Sequence, residues 1–237
     1  MTKRTTFIAE LHPQHGGELS VLLEMTRRCA MAGADVMKVQ LYDEQFLGPD
    51  WDYLVLGRDE LEAFAGLCDD LGVVWSASIF SRSRIAWCED LGMRAYKIAS
   101  RTVTEDRPLC EEILALGKPT YVSLGAWAAP EAPFPDAEDV TYLHCVSRYP
   151  TLPADLEPRH FDFSGHVDGF SDHTLGTSAM ELAVARGATV LEKHVTFDQR
   201  AVRSTERAHA CSITPDQLAA WLPGVRELGR LAGTLGR

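Results

Sequence analysis

Lysine is rarely buried without an anionic partner. Yet Lys38 and Lys97 each stand inside an apolar run, Val36-Met37-Lys38-Val39 and Ala95-Tyr96-Lys97-Ile98. Ser78, Ser100, Ser123 and Ser171 end similar runs. Two ammonium groups with several hydroxyls suit a bound phosphate or carboxylate. The competing reading is an internal Lys–Glu pair that holds the fold together. Two further runs end Ser171-Asp172-His173 and Glu192-Lys193-His194. A lone core histidine is usually structural. Two imidazoles at consecutive run ends, beside Asp172 and Glu192, can converge on one divalent ion, and imidazole favours Mn, Fe, Co or Zn over Mg. Glu10 ends the first run, just before His12 and His15, which with His209 are further candidate ligands on loops. Gln40, His144, Ser147, Arg148 and Tyr149 complete the polar groups at run ends. His160 and His166 read as surface loop residues.

These groups need elements to position them. Strand-like segments fall at 7–11, 35–41, 73–79, 95–100, 120–125, 141–147, 166–171 and 189–196. Helical patterns lie between them. Leu61, Phe64, Ala65, Cys68 and Leu71 share one helical face, as do Leu109, Ile113 and Leu116, and Leu218, Trp221, Leu222, Val225 and Leu228. Gly33, Gly72, Gly92, Gly117 and Gly187 close helices just before strands. Eight such alternations predict an α/β fold, a (β/α)8 TIM barrel filling residues 1–237 as one domain. A doubly wound sheet is the alternative, but no G-x-G-x-x-G follows the first strand. In a barrel the C-terminal strand ends carry the chemistry, so the polar groups above would gather at one mouth.

Two crossovers are expected to be reduced. Residues 126–139 hold Pro130, Pro133 and Pro135, and residues 149–165 hold Pro150, Pro153 and Pro158, which excludes regular helices. Bare barrel surface on that side would need covering, which suggests a homodimer. The formal charge of −11 argues against nucleic acid or an anionic membrane as partner. No apolar run approaches the roughly 18 residues that span a bilayer. The N-terminus lacks an apolar signal core, so a cytoplasmic protein is expected. The six cysteines form no C-x-x-C pair and read as reduced core residues.

Several stretches together carry a family likeness. They are Ile8-Ala9-Glu10, His15-x-Gly17, Lys38-x-Gln40, Ala95-Tyr96-Lys97-Ile98-Ala99-Ser100, Leu143-His144-Cys145-x-Ser147-x-Tyr149-Pro150-Thr151, Ser171-Asp172-His173-Thr174-Leu175-Gly176 and Val190-Leu191-Glu192-Lys193-His194. In this order, across nearly the whole chain, they resemble the sialic acid synthase family, the N-acetylneuraminate and related nonulosonate synthases. The resemblance implies a (β/α)8 barrel that condenses phosphoenolpyruvate with an N-acylated aldose and needs a divalent metal, typically Mn, with Co, Zn or Mg as other candidates. It implies phosphoenolpyruvate against Lys38, Ser78, Lys97, Ser100, Ser123 and Ser171, and metal on His173 and His194. Glu192 would be the acid/base or water-orienting carboxylate, with Lys38, Lys97 and Glu10 as the other catalytic candidates. Gln40, Ser147 and Tyr149 join the expected substrate-binding set.

The departures cluster where the family holds its acceptor sugar. Arg101-Thr102 replaces Gly-Glu after the Lys97 run, and Glu206-Arg207-Ala208-His209 replaces Gly-Pro-Asp-His, so two carboxylates are lost. Gln14-His15-Gly16-Gly17 replaces Asn-His-Asn-Gly. The family's usual antifreeze-like domain, which lends an arginine to the acceptor site, is not expected to follow the barrel; Arg101, Arg148 and Arg203 are candidate substitutes. The expected reaction joins phosphoenolpyruvate to an aldehyde or aldose, releasing phosphate and a 2-keto-3-deoxy acid. An aldolase or lyase on the same site, or a non-catalytic anion-binding barrel, are the alternatives.

Overall fold

The computed structural model describes residues 4–43, 48, 50–200 and 208–235. Eight parallel strands close into a barrel in chain order: β1 (Thr6–Glu10), β2 (Val36–Leu41), β3 (Val74–Ile79), β4 (Ala95–Ile98), β5 (Thr120–Ser123), β6 (Val140–Cys145), β7 (Val167–Asp172) and β8 (Val190–His194), with β8 pairing back on β1. Around them run α1 (Leu19–Met31), α2 (Arg58–Asp70), α3 (Ser83–Asp90), α4 (Ser100–Glu105), α5 (Arg107–Leu114), α6 (Ser178–Arg186), α7 (Ala208–Cys211) and α8 (Pro215–Leu235). No described helix is long and apolar enough to cross a membrane.

The pleat sorts each strand into two faces. Outward residues such as Phe7, Trp75, Tyr96 and Phe170 bury fully under the helices. Inward residues build layers. The lower layer is apolar and closes on Ile8, Val36, Leu143 and Val190. Gly169 belongs there because a Cβ would strike Leu143 and the Val190 carbonyl. One residue pair further along the strands, the inward positions turn polar: Glu10, Lys38, Ser78, Lys97, Ser123, Ser171 and Glu192. The apolar plug therefore forms the floor on which a polar mouth stands.

The crossover after β5 contains no helix, and the one after β6 holds only the 3-10 turns Pro153–Asp155 and Pro158–Phe161. Their loops lay Phe134, Phe161 and Phe163 on the barrel, all buried, and the Tyr142 hydroxyl donates to the Phe134 carbonyl at 2.9 Å. The chain thus covers this side with its own aromatics. After β4, one expected helix is two. Asp106 separates α4 from α5 and its carboxylate accepts the Leu109 N–H at 3.0 Å, capping α5. Strands β4 and β6 also end earlier than the sequence pattern suggests, so Ser100 opens α4 and Ser147 lies on the loop beyond β6.

Asp172 and Lys193 face away from the barrel interior, and both are 0% exposed. Lys193 Nζ donates to Asp172 Oδ2 at 2.5 Å and to the Thr174 carbonyl at 2.8 Å, while Asp172 Oδ1 accepts the Thr174 N–H at 2.8 Å. Removing one partner of such a buried pair typically costs about 3–5 kcal/mol. The pair ties together the ends of β7 and β8, from which His173 and His194 project.

Candidate active site

At the C-terminal mouth of the barrel lies a cavity of about 590 Å³. The residues that the resemblance assigns to substrate, catalysis or metal line it: Glu10, Lys38, Gln40, Ser78, Lys97, Ser100, Ser123, Ser147, Tyr149, Ser171, His173, Glu192 and His194. Strand parity explains the convergence, because these side chains occupy inward positions or the first residues beyond a strand end.

Four charged groups form its base. Lys38 Nζ donates to Glu10 and, at 3.2 Å, to Ser78 Oγ, and lies 3.6 Å from Glu192 Oε1. Lys97 Nζ donates to Ser123 Oγ at 2.7 Å and to the Ile98 carbonyl at 3.1 Å, and lies 3.7 Å from Glu192 Oε2. Both lysines are 2% exposed. The internal Lys–Glu pairing and the anion-binding reading are thus combined in one network. Burial alone pushes the Glu192 carboxyl upward, but Lys97 and Lys38 outweigh it and hold the group below its usual range. Glu192 is therefore ionised, and its Oε2 has no hydrogen-bond partner among the described residues. Burial also presses Lys97 down, against the pull of Glu192 and with the repulsion of Lys38. Lys38 goes the other way: burial lowers it, and Glu10 and Glu192 more than compensate. Glu10 is raised by burial, with Lys38 opposing and Glu192 adding. Its carboxylate takes up Lys38, the His12 N–H at 2.9 Å and Gln40 Nε2 at 3.1 Å. Glu10 thereby fixes Lys38, and Gln40 is committed to Glu10, the His12 carbonyl and Tyr42.

Around Lys97 the wall is hydroxyl-rich. Ser100 Oγ accepts the Gly125 N–H at 3.0 Å and its hydroxyl hydrogen-bonds Cys145. A Cβ at Gly125 would strike Ser147 Oγ and press on Ser100 Oγ and the Cys145 carbonyl. Glycine there lets the backbone pass close behind the hydroxyls. All six cysteines are free and buried as expected, but Cys145 also lines the cavity.

The two histidines present matching edges. His173 Nδ1 meets the Val146 carbonyl at 2.8 Å, and His194 Nδ1 meets Gln14 Oε1 at 2.9 Å. Both oxygens can only accept, so in a neutral ring each Nδ1 carries the proton and each Nε2 keeps a lone pair. An acceptor behind Nδ1 of this kind orients an imidazole and turns its Nε2 toward a metal. The rings lie 5.7 Å apart, and Tyr149 packs 4.0 Å from His173. No group of three potential ligating side chains occurs among the described residues, so two imidazoles are the protein donors a cation would find.

The opposite wall was not expected. Tyr42 stacks on Phe80 with centroids 4.5 Å apart, Trp51 and Leu54 extend the apolar surface, and the Arg101 guanidinium lies 5.9 Å from the Phe80 ring. Tyr42 continues the Lys38–Gln40 alternation by one step, and Phe80 does the same after Ser78. That extension was the available signal.

Other expectations are corrected. Asp172 sits outside the cavity, locked on Lys193. His144 points away from the interior, its Nε2 2.8 Å from the Asp162 carbonyl. Arg148 pairs with Asp155 at 2.7 Å and does not line the cavity, whereas Arg101 does. His15 stands behind His12, and His209 is buried away from the lining. His166 is exposed as expected, and His160 is half-buried. Ala208 lines the cavity, but Thr102 is buried outside it. Arg203, Glu206 and Arg207 lie outside the described residues.

The sequence pattern of the NeuB family matches residues 51–236. The chain belongs to the NeuB family. Its similarities extend over most of its length. It is 26% identical to the human N-acetylneuraminate-9-phosphate synthase, over 96% of this chain and 71% of the relative. It is 29% identical to a Campylobacter jejuni pseudaminic acid synthase, over 95% and 74%. Its fold overlays the crystal structure of the N-acetylneuraminic acid synthetase from Leptospira borgpetersenii, solved with citrate, at a TM-score of 0.85 and 26% identity, covering 100% of this chain and 86% of that one. NeuB membership and the closed parallel barrel agree on a sialic acid synthase-like enzyme.

Proposed function

We propose that this NeuB-family barrel condenses phosphoenolpyruvate with an aldehyde or aldose, giving a 2-keto-3-deoxy acid and inorganic phosphate. The carrying observation is the convergence, in one cavity, of the Lys97–Ser123 cradle, two imidazoles with free Nε2 lone pairs and an ionised Glu192 with an open oxygen. The names of its relatives support the same reaction class.

Lys38 and Lys97 neutralise the phosphate and carboxylate, and Ser78, Ser100, Ser123, Ser147 and Ser171 supply hydroxyls to their oxygens. A divalent ion held by His173 and His194, Mn by preference, would polarise the acceptor carbonyl as a Lewis acid. The enolpyruvyl C3 forms a bond to the acceptor carbonyl carbon, whose oxygen takes up a proton. Water adds at C2, losing its proton toward Glu192 Oε2. The C2–O bond to phosphate then breaks, phosphate departs and the C2 carbonyl forms. Glu192 suits this task because the lysines keep it ionised while leaving one oxygen uncommitted.

The acceptor pocket favours something other than plain N-acetylmannosamine, since Ala208 replaces a carboxylate on the lining and aromatic rings fill the facing wall. A panel of N-acetylmannosamine, D-arabinose and D-glyceraldehyde, assayed for phosphate release with phosphoenolpyruvate and Mn, tests the reading. Acceptor-dependent release is expected, with kcat/KM for N-acetylmannosamine well below roughly 10⁴ M⁻¹s⁻¹. Aldol cleavage without phosphoenolpyruvate would favour the lyase alternative. Phosphoenolpyruvate binding with no turnover of any aldehyde would favour a non-catalytic barrel.

A further inference from the structure

The loop after β1 carries two histidines that the reaction above leaves unused. His15 Nδ1 accepts the Gly17 N–H at 3.1 Å, so that nitrogen holds a lone pair. In a neutral ring the proton must then sit on His15 Nε2, which lies 2.9 Å from His12 Nδ1. His15 Nε2 donates, His12 Nδ1 accepts, and the proton of a neutral His12 is forced to Nε2. Both rings are held neutral. Burial brings His15 down to about 4, and burial, then His15 and Lys38, take His12 well below its usual value.

The geometry that sets this relay is built in. Gly17 has φ +81°, and a Cβ there would strike the Tyr53 carbonyl, so glycine is required where the N–H turns toward His15. The His12 backbone is held at both ends, its N–H by Glu10 Oε1 at 2.9 Å and its carbonyl by Gln40 Nε2 at 3.2 Å. His12 itself is 1% exposed and lines the cavity, and its Nε2 has no hydrogen-bond partner among the described residues. A buried N–H without an acceptor is unfavourable, so the cavity's contents are the natural source of one.

Two observations say which content. In a closed barrel of eight strands, β1 stands across the mouth from β5, which carries Ser123 of the anion cradle. His12 therefore stands across the mouth from the Lys97–Ser123 end of the anion cradle, on the side where Tyr42 and Phe80 rather than Ser123 form the wall. An uncharged imidazole N–H is also the kind of donor that polarises a carbonyl oxygen. The neighbouring Tyr42 ring, 5.9 Å from His12 and stacked on Phe80, offers an apolar face for the C–H surface of an aldose.

We infer that His12 donates an Nε2–H hydrogen bond to an uncharged carbonyl or hydroxyl oxygen of the acceptor, and that His15 is a positioning residue that fixes the His12 tautomer. The inference rests on the synthase reading and names a specificity group on its acceptor side.

Nitrogen-15 spectra of histidine-labelled protein at neutral pH test the relay, with His12→Gln and His15→Gln used for assignment. Both rings are expected as Nε2–H tautomers. His15→Gln should preserve the His12 tautomer, because its amide can accept from Gly17 and donate to His12, whereas His15→Phe should release it. Kinetics with the aldose panel test the donor. Loss of one neutral hydrogen bond in His12→Ala should raise the KM of the best aldose about tenfold while that of phosphoenolpyruvate stays within roughly twofold. An Nδ1–H or charged His12 would overturn the inference, as would an unchanged aldose KM in His12→Ala. Absence of acceptor-dependent phosphate release from the wild-type protein would instead remove the synthase reading, and the donor role with it, leaving the tautomer result standing alone.

Discussion

Replacing His173 and His194 together by alanine is expected to remove stoichiometric Mn from the protein. Each imidazole has its Nδ1 proton engaged, one by the Val146 carbonyl and one by Gln14 Oε1, so each offers Nε2. With no group of three ligating side chains among the described residues, the double variant removes the imidazole pair proposed to hold the cation. Gln14→Ala keeps both imidazoles but frees the His194 ring. Losing the acceptor behind a ligating imidazole typically costs about 10–100-fold in metal affinity, so an intermediate result is expected there. Elemental analysis after dialysis reads both variants. Unchanged metal content in the double variant would refute the assignment.

Lys97→Met is expected to weaken phosphoenolpyruvate binding by at least about tenfold, because a charge-assisted contact in a partly dry pocket is worth roughly 1.5–3 kcal/mol. Methionine keeps most of the apolar stem, so packing changes little. Ser123 Oγ loses its donor, and Glu192 loses one of its two lysine neighbours and keeps Lys38. Lys38 is a poorer place for this test, since its removal also strips Glu10 of its ion-pair partner among the described residues. Calorimetry giving equal affinity for wild type and Lys97→Met would exclude the Lys97 wall as the anion site.

Much of the site was legible because a strand's pleat is a two-residue code. Once Lys38, Lys97 and Glu192 were placed on strands, their facing followed, and the cavity collects them. The same parity, applied strictly, removes His144 and Asp172, which alternate with the inward Cys145 and Ser171. Reading those two as site groups treated a strand end as a neighbourhood without regard to facing. Tyr42 and Phe80 were missed because the alternation was stopped at the last strand residue, though it continues one step into the loop. The covering role of Phe134 and Phe163 was not legible, since proline-rich loops carry no period that says which residue turns inward. Nor was the His12–His15 relay, which depends on the left-handed backbone at Gly17 and on a contact set by loop geometry rather than by spacing.

The proposed reaction requires C–O cleavage of phosphoenolpyruvate in the Lys97 cavity. The most direct measurement uses phosphoenolpyruvate carrying oxygen-18 at the bridging position, incubated with protein, Mn and the aldose panel, with the products read by mass spectrometry. The account predicts oxygen-18 in the released phosphate and none in the keto acid carbonyl. Unlabelled phosphate, with the isotope retained on carbon, would mean P–O cleavage and would contradict it.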